Sequence, residues 1–263
     1  MSGQGKTVLI TGAAKRIGRA IAMAFADDGW SIILHCNRSI AEAEKLRHSL
    51  PGNGHAVVQG DFATAESITA FLENMEHSNL HFDCLVNSAS CYLRKSLVAT
   101  SLQKMTTLYN VNFFAPFQLM RFFAEKMKSG CIINITDQRT ASVDPDAGIY
   151  ALTKKSLRDA TEAAALDWAP AIRVNAIAPG LVLSPPGVPP EKIKPLLEKV
   201  PMRTRTTEQE IAQACLFLAH TETITGQTLY LDGGMHLQGY PLETGVMTVS
   251  SPSKNQANST KPY

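Results

Sequence analysis

The sequence predicts an α/β protein in which about seven parallel strands form one doubly wound sheet with helices on both faces. Short runs rich in Ile, Val and Leu alternate with longer stretches that have the apolar spacing of helices. The strand-like runs do not alternate apolar with polar residues, which indicates strands buried on both sides. A chain of 263 residues, 44% of them hydrophobic, is long enough to form one sizeable core. We therefore predict a single domain over residues 1–240, followed by a tail over residues 241–263.

The predicted strands and helices follow one another along the chain. Seven apolar runs are predicted as strands: Thr7–Ile10, Ser31–Leu34, Ala56–Val58, Cys84–Val86, Cys131–Ile135, Arg173–Ala178 and Thr228–Leu231. Six periodic stretches are predicted as helices: Arg16–Asp28, Ile40–Ser49, Ala65–His77, Leu102–Lys128, Tyr150–Trp168 and Thr207–His220. Ser39 followed by Glu42 predicts a capping box at the start of the second helix.

Two segments depart from this alternation. A proline cluster from Pro185 to Pro195 interrupts it after the sixth strand, and we interpret residues 181–205 as a mobile flap over a site. Residues 250–263 are rich in Ser, Asn, Thr, Lys and Pro, a composition that buries too little apolar surface to become ordered. We expect at least the end of the tail to be disordered.

Charge and cysteine content exclude several classes of function. Lys and Arg total 25 against 23 Asp and Glu, so the net charge of +2 gives no broad field for nucleic acid or an anionic membrane. The five cysteines include no Cys-x-x-Cys pair and no spacing suited to zinc, so we predict no metal site and a reduced, cytoplasmic protein. Neither a secretion signal nor a membrane-spanning segment is expected. The expected partner is a small molecule.

The segment Thr11–Gly18 has the pattern of a loop that binds the pyrophosphate of a dinucleotide. It follows the first predicted strand and opens the first helix, where free backbone N–H groups and the helix dipole favour an anion. Gly12 would allow the tight turn, and Gly18 the close contact between helix and sheet. Arg16 and Ile17 complete the predicted cofactor contacts, and the Arg16 guanidinium should meet an anionic or planar group. The alternative is an ordinary strand-to-helix turn.

The end of the second strand favours NADP over NAD. NAD enzymes usually place an acidic side chain there to hold the ribose hydroxyls, and this sequence has none. His35, Arg38 and Ser39 instead offer an imidazole, a guanidinium and a hydroxyl as donors to an additional ribose phosphate. The alternative is that Ser39 only caps its helix and Arg38 is solvated. Asp61 and Phe62 are further candidate cofactor contacts, with Asp61 either holding the adenine amino group or ending the third strand.

Tyr150 and Lys154 form the candidate catalytic pair. They lie four residues apart at the start of a predicted helix and so share a face, and a nearby ammonium should lower the pKa of the tyrosine. Tyr150 is therefore a candidate proton donor. Asp137 stands 13 positions earlier, just after the fifth predicted strand. Taken alone, the Tyr-x-x-x-Lys pair is weak evidence, because helix faces carry such pairs by chance.

In this order, the motifs resemble the short-chain dehydrogenase/reductase family over Thr7 to Gly234. The resemblance implies a single-domain Rossmann fold and assigns roles by position. Asn112 matches the asparagine that holds a water beside the catalytic lysine. The positions matched to turns against the cofactor are Asn87, Ser88, Ala89, Pro179 and Gly180. Each of these motifs, taken alone, could be only a turn or a cap.

Asp137 departs from most members of that family, which place a serine there to bind a substrate carbonyl. A carboxylate would repel that oxygen, so Asp137 suits a substrate with N–H donors, or a relay in which Tyr150 and the acid protonate a ring nitrogen. The pteridine reductase branch of the family shares this aspartate. The resemblance to that branch implies substrate binding by Arg16, Ser90, Tyr92, Asp137 and Tyr150. It also implies that Arg16 contacts a cofactor phosphate and that the trio His35, Arg38 and Ser39 selects NADPH.

Two positions differ from that branch: Tyr92 stands where phenylalanine is common, and Ser88 where asparagine is common. The alternative for Tyr92 is a half-exposed loop aromatic.

The resemblance implies NADPH-dependent reduction of dihydropterins, such as dihydrobiopterin or dihydromonapterin, with dihydrofolate as a second substrate. Hydride would go to the carbon of a ring C=N, Tyr150 would supply the proton to the nitrogen, Lys154 would tune Tyr150, and Asp137 would assist. Tyr92 would hold the pterin flat against the nicotinamide. The alternatives are a reductase of a ketone, sugar or acyl thioester, and a non-catalytic NADP-binding sensor. Members of the family are usually tetramers or dimers, and a homotetramer is expected here by resemblance. The apolar stretch Phe113–Phe123 is a candidate interface, and the alternative is that it packs on the sheet.

Overall fold

Seven parallel strands form one sheet in the computed structural model, which describes residues 3–182 and 194–238. The strands are β1 Thr7–Ile10, β2 Ser31–Cys36, β3 Ala56–Gln59, β4 Cys84–Asn87, β5 Gly130–Ile135, β6 Ile172–Pro179 and β7 Thr228–Leu231. They lie in the order β3-β2-β1-β4-β5-β6-β7, and each neighbouring pair is parallel. The predicted single doubly wound sheet is confirmed, and each observed strand contains the predicted one.

The helices of the described residues alternate with these strands. They are α1 Arg16–Asp27, α2 Ile40–Ser49, α3 Ala65–His77, α4 Leu102–Tyr109, α5 Ala115–Lys126, α6 Gly148–Asp167, α7 Lys194–Glu198 and α8 Glu208–His220. None of them is both long and apolar enough to cross a membrane. The predicted flap over 181–205 falls outside the described residues at 183–193, and the predicted tail lies wholly beyond residue 238.

The hydrophobic core lies on both faces of the sheet, as the lack of polar alternation in the strands predicts. In β1, Val8 and Ile10 point to the face covered by α1 and α8, where Phe25 and Leu218 pack. Leu9 points to the opposite face, where the helices α3, α5 and α6 supply the packing. Burial of β1 from both sides fixes the position of the loop that follows it.

The predicted continuous helix Leu102–Lys128 is wrong, because a π-helical turn, Asn110–Phe114, separates α4 from α5. Pro116 lies two residues beyond this turn and has no N–H to give to the carbonyl of Asn112, four residues earlier. The regular hydrogen-bond ladder therefore fails at Asn112. Such π-helical turns are frequent at functional sites.

The predicted capping box at the start of α2 is also wrong. Ser39 makes no side-chain hydrogen bond to the helix, and the Glu42 carboxylate lies 2.7 Å from the Lys15 ammonium. Glu42 is drawn away because the opposite charge of Lys15 is within reach. The Ser39 backbone, with φ of −94° and ψ of 47°, is also not in the extended conformation of a typical cap, and its hydroxyl is not used as one.

The order of the strands creates a switch point between β1 and β4. From β1 the chain winds outward through β2 to β3, and then crosses back to β4 on the other side of β1. The loops after β1 and β4 therefore leave the sheet in opposite directions and open a crevice between them. Ligands of open parallel sheets bind in this crevice, at the carboxyl ends of the strands.

Candidate active site

The loop after β1 is held tightly against the turn after β4. Gly12 has a left-handed backbone with φ of +67°, and a Cβ on it would lie 2.9 Å from the Ala89 Cα. A Cβ on Gly18 would lie only 2.3 Å from the Gly12 carbonyl oxygen. The Thr11 hydroxyl oxygen accepts hydrogen bonds from the backbone N–H groups of Ser88 and Ala89, at 2.9 and 3.0 Å. The geometry thus requires glycine at both positions, and Thr11 is a positioning residue that the sequence analysis did not single out.

Arg16 adopts a backbone conformation that favours glycine. Its φ is +53°, in the left-handed region, at the first residue of α1. The side chain is exposed. The strained conformation therefore places a guanidinium at the helix N-terminus, where the predicted anionic group would bind.

His35 has a different role from the predicted one. Its side chain is buried with 2% exposed, the Nδ1 atom accepts a hydrogen bond from Gly12 N–H at 3.2 Å, and Nε2 lies 3.1 Å from the Gly60 carbonyl oxygen. Because Nδ1 accepts, Nε2 carries the proton and donates it to Gly60. The prediction that His35 donates to a ribose phosphate is therefore wrong: both ring nitrogens are already used, and the imidazole holds the Gly12 turn in place.

Burial lowers the pKa of His35 from 6.5 to about 4, against the opposing effects of its bond to the Gly60 carbonyl and of the Asp61 charge. The ring is therefore neutral at neutral pH. Phe62 stacks on it with ring centroids 4.4 Å apart. The Phe62 side chain thus belongs to the core, and only its backbone is left for the predicted contact with the cofactor.

The other residues predicted to bind the ribose phosphate lie at the surface beyond β2. Arg38 is exposed and Ser39 is half-buried, with its hydroxyl free of the helix cap. Lys15 reaches the first turn of α2 from the loop after β1 and adds a cation that the sequence analysis did not single out. Asp61 accepts hydrogen bonds from the Asn37 side chain at 2.9 Å and from Ala63 N–H at 3.0 Å, so it also fixes the ends of β2 and β3.

The turn after β4 is anchored below by Asn87. This side chain is buried and donates to the Asn134 side chain on β5 at 2.8 Å, so it points into the sheet. Ser88 and Ala89, tied to Thr11, are the part of the turn that lies against the phosphate loop. The Asn87 side chain therefore points away from the predicted cofactor surface, and contact of Ser88 and Ala89 with the cofactor stays a prediction.

Asp137, Tyr150 and Lys154 meet at the carboxyl end of β5. Tyr150, in the first turn of α6, donates its hydroxyl proton to Asp137 Oδ2 at 2.9 Å. Lys154 is one turn later, with its ammonium donating to the Ile135 carbonyl oxygen at 2.8 Å. Tyr150 is 6% exposed and Lys154 is 2% exposed. The three side chains that were predicted from spacing and resemblance therefore form one largely buried cluster.

The electrostatics of Tyr150 are the opposite of those predicted. Burial raises the pKa of Tyr150 well above its ordinary value, and the charge and hydrogen bond of Asp137 raise it further. Burial also lowers the pKa of Lys154 to about 8. The prediction that Lys154 lowers the pKa of Tyr150 is wrong, because Asp137 is the charged group in contact with the phenol. Tyr150 is kept protonated, which is the form that a proton donor requires.

Arg139 completes this cluster and was not found from the sequence. Its backbone N–H and its Nη1 donate to Asp137 Oδ1 at 2.9 and 3.1 Å, and its Nε donates to Asp144 Oδ2 at 2.6 Å. The Asp144 side chain is 3% exposed. The guanidinium therefore joins the candidate catalytic carboxylate to a second, buried carboxylate.

A loop after the β4 turn brings an aromatic ring to the cluster. The Tyr92 ring packs edge-on against the Tyr150 ring with centroids 4.8 Å apart, and it is 50% exposed. The preceding residues are fixed by Asn112, whose side chain accepts from the Ser90 hydroxyl at 3.1 Å and from Cys91 N–H at 2.8 Å. Asn112 therefore orders the predicted substrate loop, while its predicted role in holding a water beside Lys154 stays a prediction.

The turn after β6 forms the far side of the crevice. Gly180 N–H donates to the Leu231 carbonyl oxygen at 2.9 Å, and Pro179 is paired in register with Leu231. A Cβ on Gly180 would lie 2.7 Å from Asp232. Close packing against the end of β7 explains the glycine, and it keeps the predicted nicotinamide-lining turn at the carboxyl edge of the sheet.

Comparison with known proteins finds similarity over most of the chain. Residues 12–236 match the family model described as Enoyl-(Acyl carrier protein) reductase. Glucose 1-dehydrogenase of Gluconobacter oxydans is 30% identical over 249 residues, 89% of this chain and 93% of that protein. A 3-oxoacyl-[acyl-carrier-protein] reductase, FabG, of Staphylococcus aureus is 28% identical over 242 residues, 88% of this chain and 98% of that protein.

A solved structure is similar as well. FolM alternative dihydrofolate reductase 1 from Brucella canis, complexed with NADP, superposes with a TM-score of 0.82 at 29% identity, covering 92% of this chain and 98% of that one.

Proposed function

Because the chain belongs to the short-chain dehydrogenase/reductase family, whose enoyl-(acyl carrier protein) reductase model matches residues 12–236, we propose that it is an NADPH-dependent reductase of dihydropterins and dihydrofolate. The observation that carries the proposal is the hydrogen bond of 2.9 Å between the Tyr150 hydroxyl and the Asp137 carboxylate. The similarity to a Brucella alternative dihydrofolate reductase with NADP supports the same substrate class.

The residues around the loop after β1 fit NADP. Gly12 lets the loop after β1 pack closely against the turn after β4, where a Cβ would lie 2.9 Å from the Ala89 Cα, and the first turn of α1 has no acidic residue to repel a phosphate. Arg38 and the uncapped hydroxyl of Ser39 would hold the ribose phosphate beyond β2, with Lys15 as an additional cation. The bound cofactor supplies the hydride.

The residues after β5 fit reduction of a ring C=N. A carboxylate beside the proton donor accepts an N–H from a heterocycle but repels a carbonyl oxygen. Tyr150 would donate its proton to the ring nitrogen as the adjacent carbon receives hydride, so that C=N becomes CH–NH. Asp137 would orient the hydroxyl and bind an N–H of the substrate. Tyr92 would pack on the planar ring, and Lys154 would hold the end of β5 in place through Ile135.

The test is NADPH oxidation by the purified full chain, offered dihydrobiopterin, dihydromonapterin, dihydrofolate, and a panel of ketones and 3-oxoacyl thioesters. We expect turnover of at least one dihydropterin or dihydrofolate and little turnover of the carbonyl compounds. The Tyr150→Phe variant is the control, because it keeps the ring and loses only the hydroxyl. Good reduction of ketones with no reduction of pterins would contradict the proposal.

The second candidate function is reduction of a ketone, sugar or acyl thioester. Arg139 favours it, because its guanidinium lies 3.1 Å from Asp137 and offsets the charge that would repel a carbonyl oxygen. The similarity to a glucose dehydrogenase and a 3-oxoacyl reductase points the same way. A non-catalytic sensor is disfavoured by the assembled proton-donating cluster, and turnover in the same assay would exclude it.

We also propose a cytoplasmic homotetramer. Phe113, Phe114 and Phe117 form an aromatic cluster on the helical face around the π-helical turn, and Phe114 is 46% exposed. All five cysteines are unpaired, as a reducing compartment would keep them. Light scattering on the eluting protein gives the oligomeric state, and a monomer would contradict the tetramer.

A further inference from the structure

Arg139 makes contacts that place it between two carboxylates and the proton donor. Nη1 lies 3.1 Å from Asp137 Oδ1 and 3.3 Å from Oδ2, while Nε lies 2.6 Å from Asp144 Oδ2. The guanidinium also lies 5.9 Å from the centroid of the Tyr92 ring. The Arg139 side chain is 23% exposed and that of Asp144 is 3% exposed. Arg139 thus forms a bridge between the two carboxylates, and the Asp144 end of this bridge lies inside the protein.

Asp144 provides the fixed end of this bridge. It lies between two short 3-10 helices, Gln138–Thr140 and Pro145–Ala147, and its Oδ1 accepts from the Asp146 backbone N–H at 3.0 Å. A carboxylate buried to this degree requires a positive partner, and Arg139 supplies it. The guanidinium is therefore also held on the side away from Asp137, by its ion pair with a buried carboxylate.

Asp137 depends on this guanidinium for its orientation. Its Oδ1 accepts from the backbone N–H and the Nη1 of Arg139, and its Oδ2 accepts from the Tyr150 hydroxyl at 2.9 Å and lies 3.3 Å from the same Nη1. Without the Arg139 side chain, the carboxylate would keep its backbone hydrogen bond at Oδ1 and lose the cation that contacts both of its oxygens. Its negative charge would also act on the phenol without compensation, and a less compensated charge makes the proton of Tyr150 harder to transfer.

We propose that Arg139 is a positioning residue of the reduction, which fixes the Asp137 carboxylate against the Tyr150 hydroxyl and offsets its charge so that Tyr150 can give up its proton. The inference rests on the proposed function for the identity of the substrate. It does not require that Arg139 touch the substrate, since the guanidinium acts through Asp137. It assigns Asp144 as the support of that guanidinium.

Two variants of the full chain, Arg139→Gln and Arg139→Lys, test this role. Arg139→Gln removes the charge, and we expect kcat to fall by about tenfold or more, with the dissociation constant of NADPH changed by less than about twofold. The solvent deuterium isotope effect on kcat should rise, because proton transfer from Tyr150 becomes slower relative to the other steps. Arg139→Lys keeps the positive charge and loses the planar set of N–H donors, so its kcat should lie between those of Arg139→Gln and the wild type.

Several outcomes would overturn the role. One is a kcat of Arg139→Gln within about twofold of the wild type. Another is a loss of kcat that is fully explained by a smaller fraction of folded protein, with an unchanged solvent isotope effect. If Arg139→Gln does not fold, Arg139→Lys and Asp144→Asn decide, and unchanged kcat in both would refute it.

The same experiment separates this inference from the proposed function. If the wild type reduces ketones instead of pterins, the proposed function fails. The comparison of Arg139→Gln with the wild type on that ketone still measures proton donation by Tyr150. Absence of turnover with every substrate would refute both proposals.

Discussion

Lowering the pH should destabilise the protein through His35, because this ring must stay neutral in the folded state. Its Nδ1 accepts from Gly12 N–H, and burial lowers its pKa from 6.5 to about 4. Above about pH 6.5 the ring is neutral in both the folded and the unfolded chain, so stability does not depend on its protonation. Between about pH 6.5 and 4 the unfolded chain binds a proton that the folded chain does not, so stability falls as the pH falls.

The size of this loss follows from the two pKa values. With 6.5 in the unfolded chain and about 4 in the folded chain, His35 alone lowers the free energy of unfolding by about 2 kcal/mol at about pH 5. The loss approaches about 3 kcal/mol below about pH 4, where both states are protonated. A loss of about 2 kcal/mol is a large part of the 5–15 kcal/mol, roughly, that keeps a domain folded.

Urea unfolding at about pH 7.5 and about pH 5, on the wild type and on His35→Asn, measures this effect. The asparagine amide oxygen accepts the Gly12 N–H but does not titrate. Loss of the ring that stacks on Phe62 lowers stability at both pH values and cancels in the comparison. The wild type should lose about 2 kcal/mol more than the variant between the two pH values. Equal losses would show that His35 is not the neutral acceptor of the Gly12 turn.

Three further substitutions test other parts of the account. Arg38→Ala should raise the Michaelis constant for NADPH by about tenfold or more and that for NADH by less than about twofold, and equal effects would remove its role at the ribose phosphate. Gly18→Ala should lower the free energy of urea unfolding by about 2 kcal/mol, because its Cβ would lie 2.3 Å from the Gly12 carbonyl oxygen, and unchanged stability would contradict this. Tyr150→Phe should lower kcat by about a hundredfold while NADPH binding, measured by fluorescence, stays the same; retained turnover would exclude Tyr150 as the proton donor.

The sheet could be predicted because its signal is local. An uninterrupted apolar run such as Cys84–Val86 indicates burial from both sides, and the observed β4 differs from it by one residue. The broken helix was missed because the apolar spacing continues across Asn110–Phe114, and only the missing N–H of Pro116 marks the change. Periodicity records which face is buried, and it does not record the pattern of backbone hydrogen bonds.

The site could be predicted only in part. The spacing of Asp137, Tyr150 and Lys154 along the chain matches a pattern of the family, and the resemblance therefore identified all three. Arg139 was missed because its partner Asp144 lies in a loop, where no periodicity links the two.

The predicted role of His35 was wrong for a related reason. The residue type suggests a donor, but its burial under Phe62 and its bond to Gly12 depend on the packing of β2 against β3.

The most direct measurement of the central claim compares Asp137→Ser with the wild type by kcat/KM for dihydrobiopterin and for a 3-oxoacyl thioester. Asp137 gives the Tyr150 hydroxyl a carboxylate partner at 2.9 Å, and serine would replace it with a neutral donor suited to a carbonyl oxygen. The ratio of the two constants should move at least about a hundredfold toward the thioester. An unchanged ratio would contradict the claim that this carboxylate selects nitrogen heterocycles.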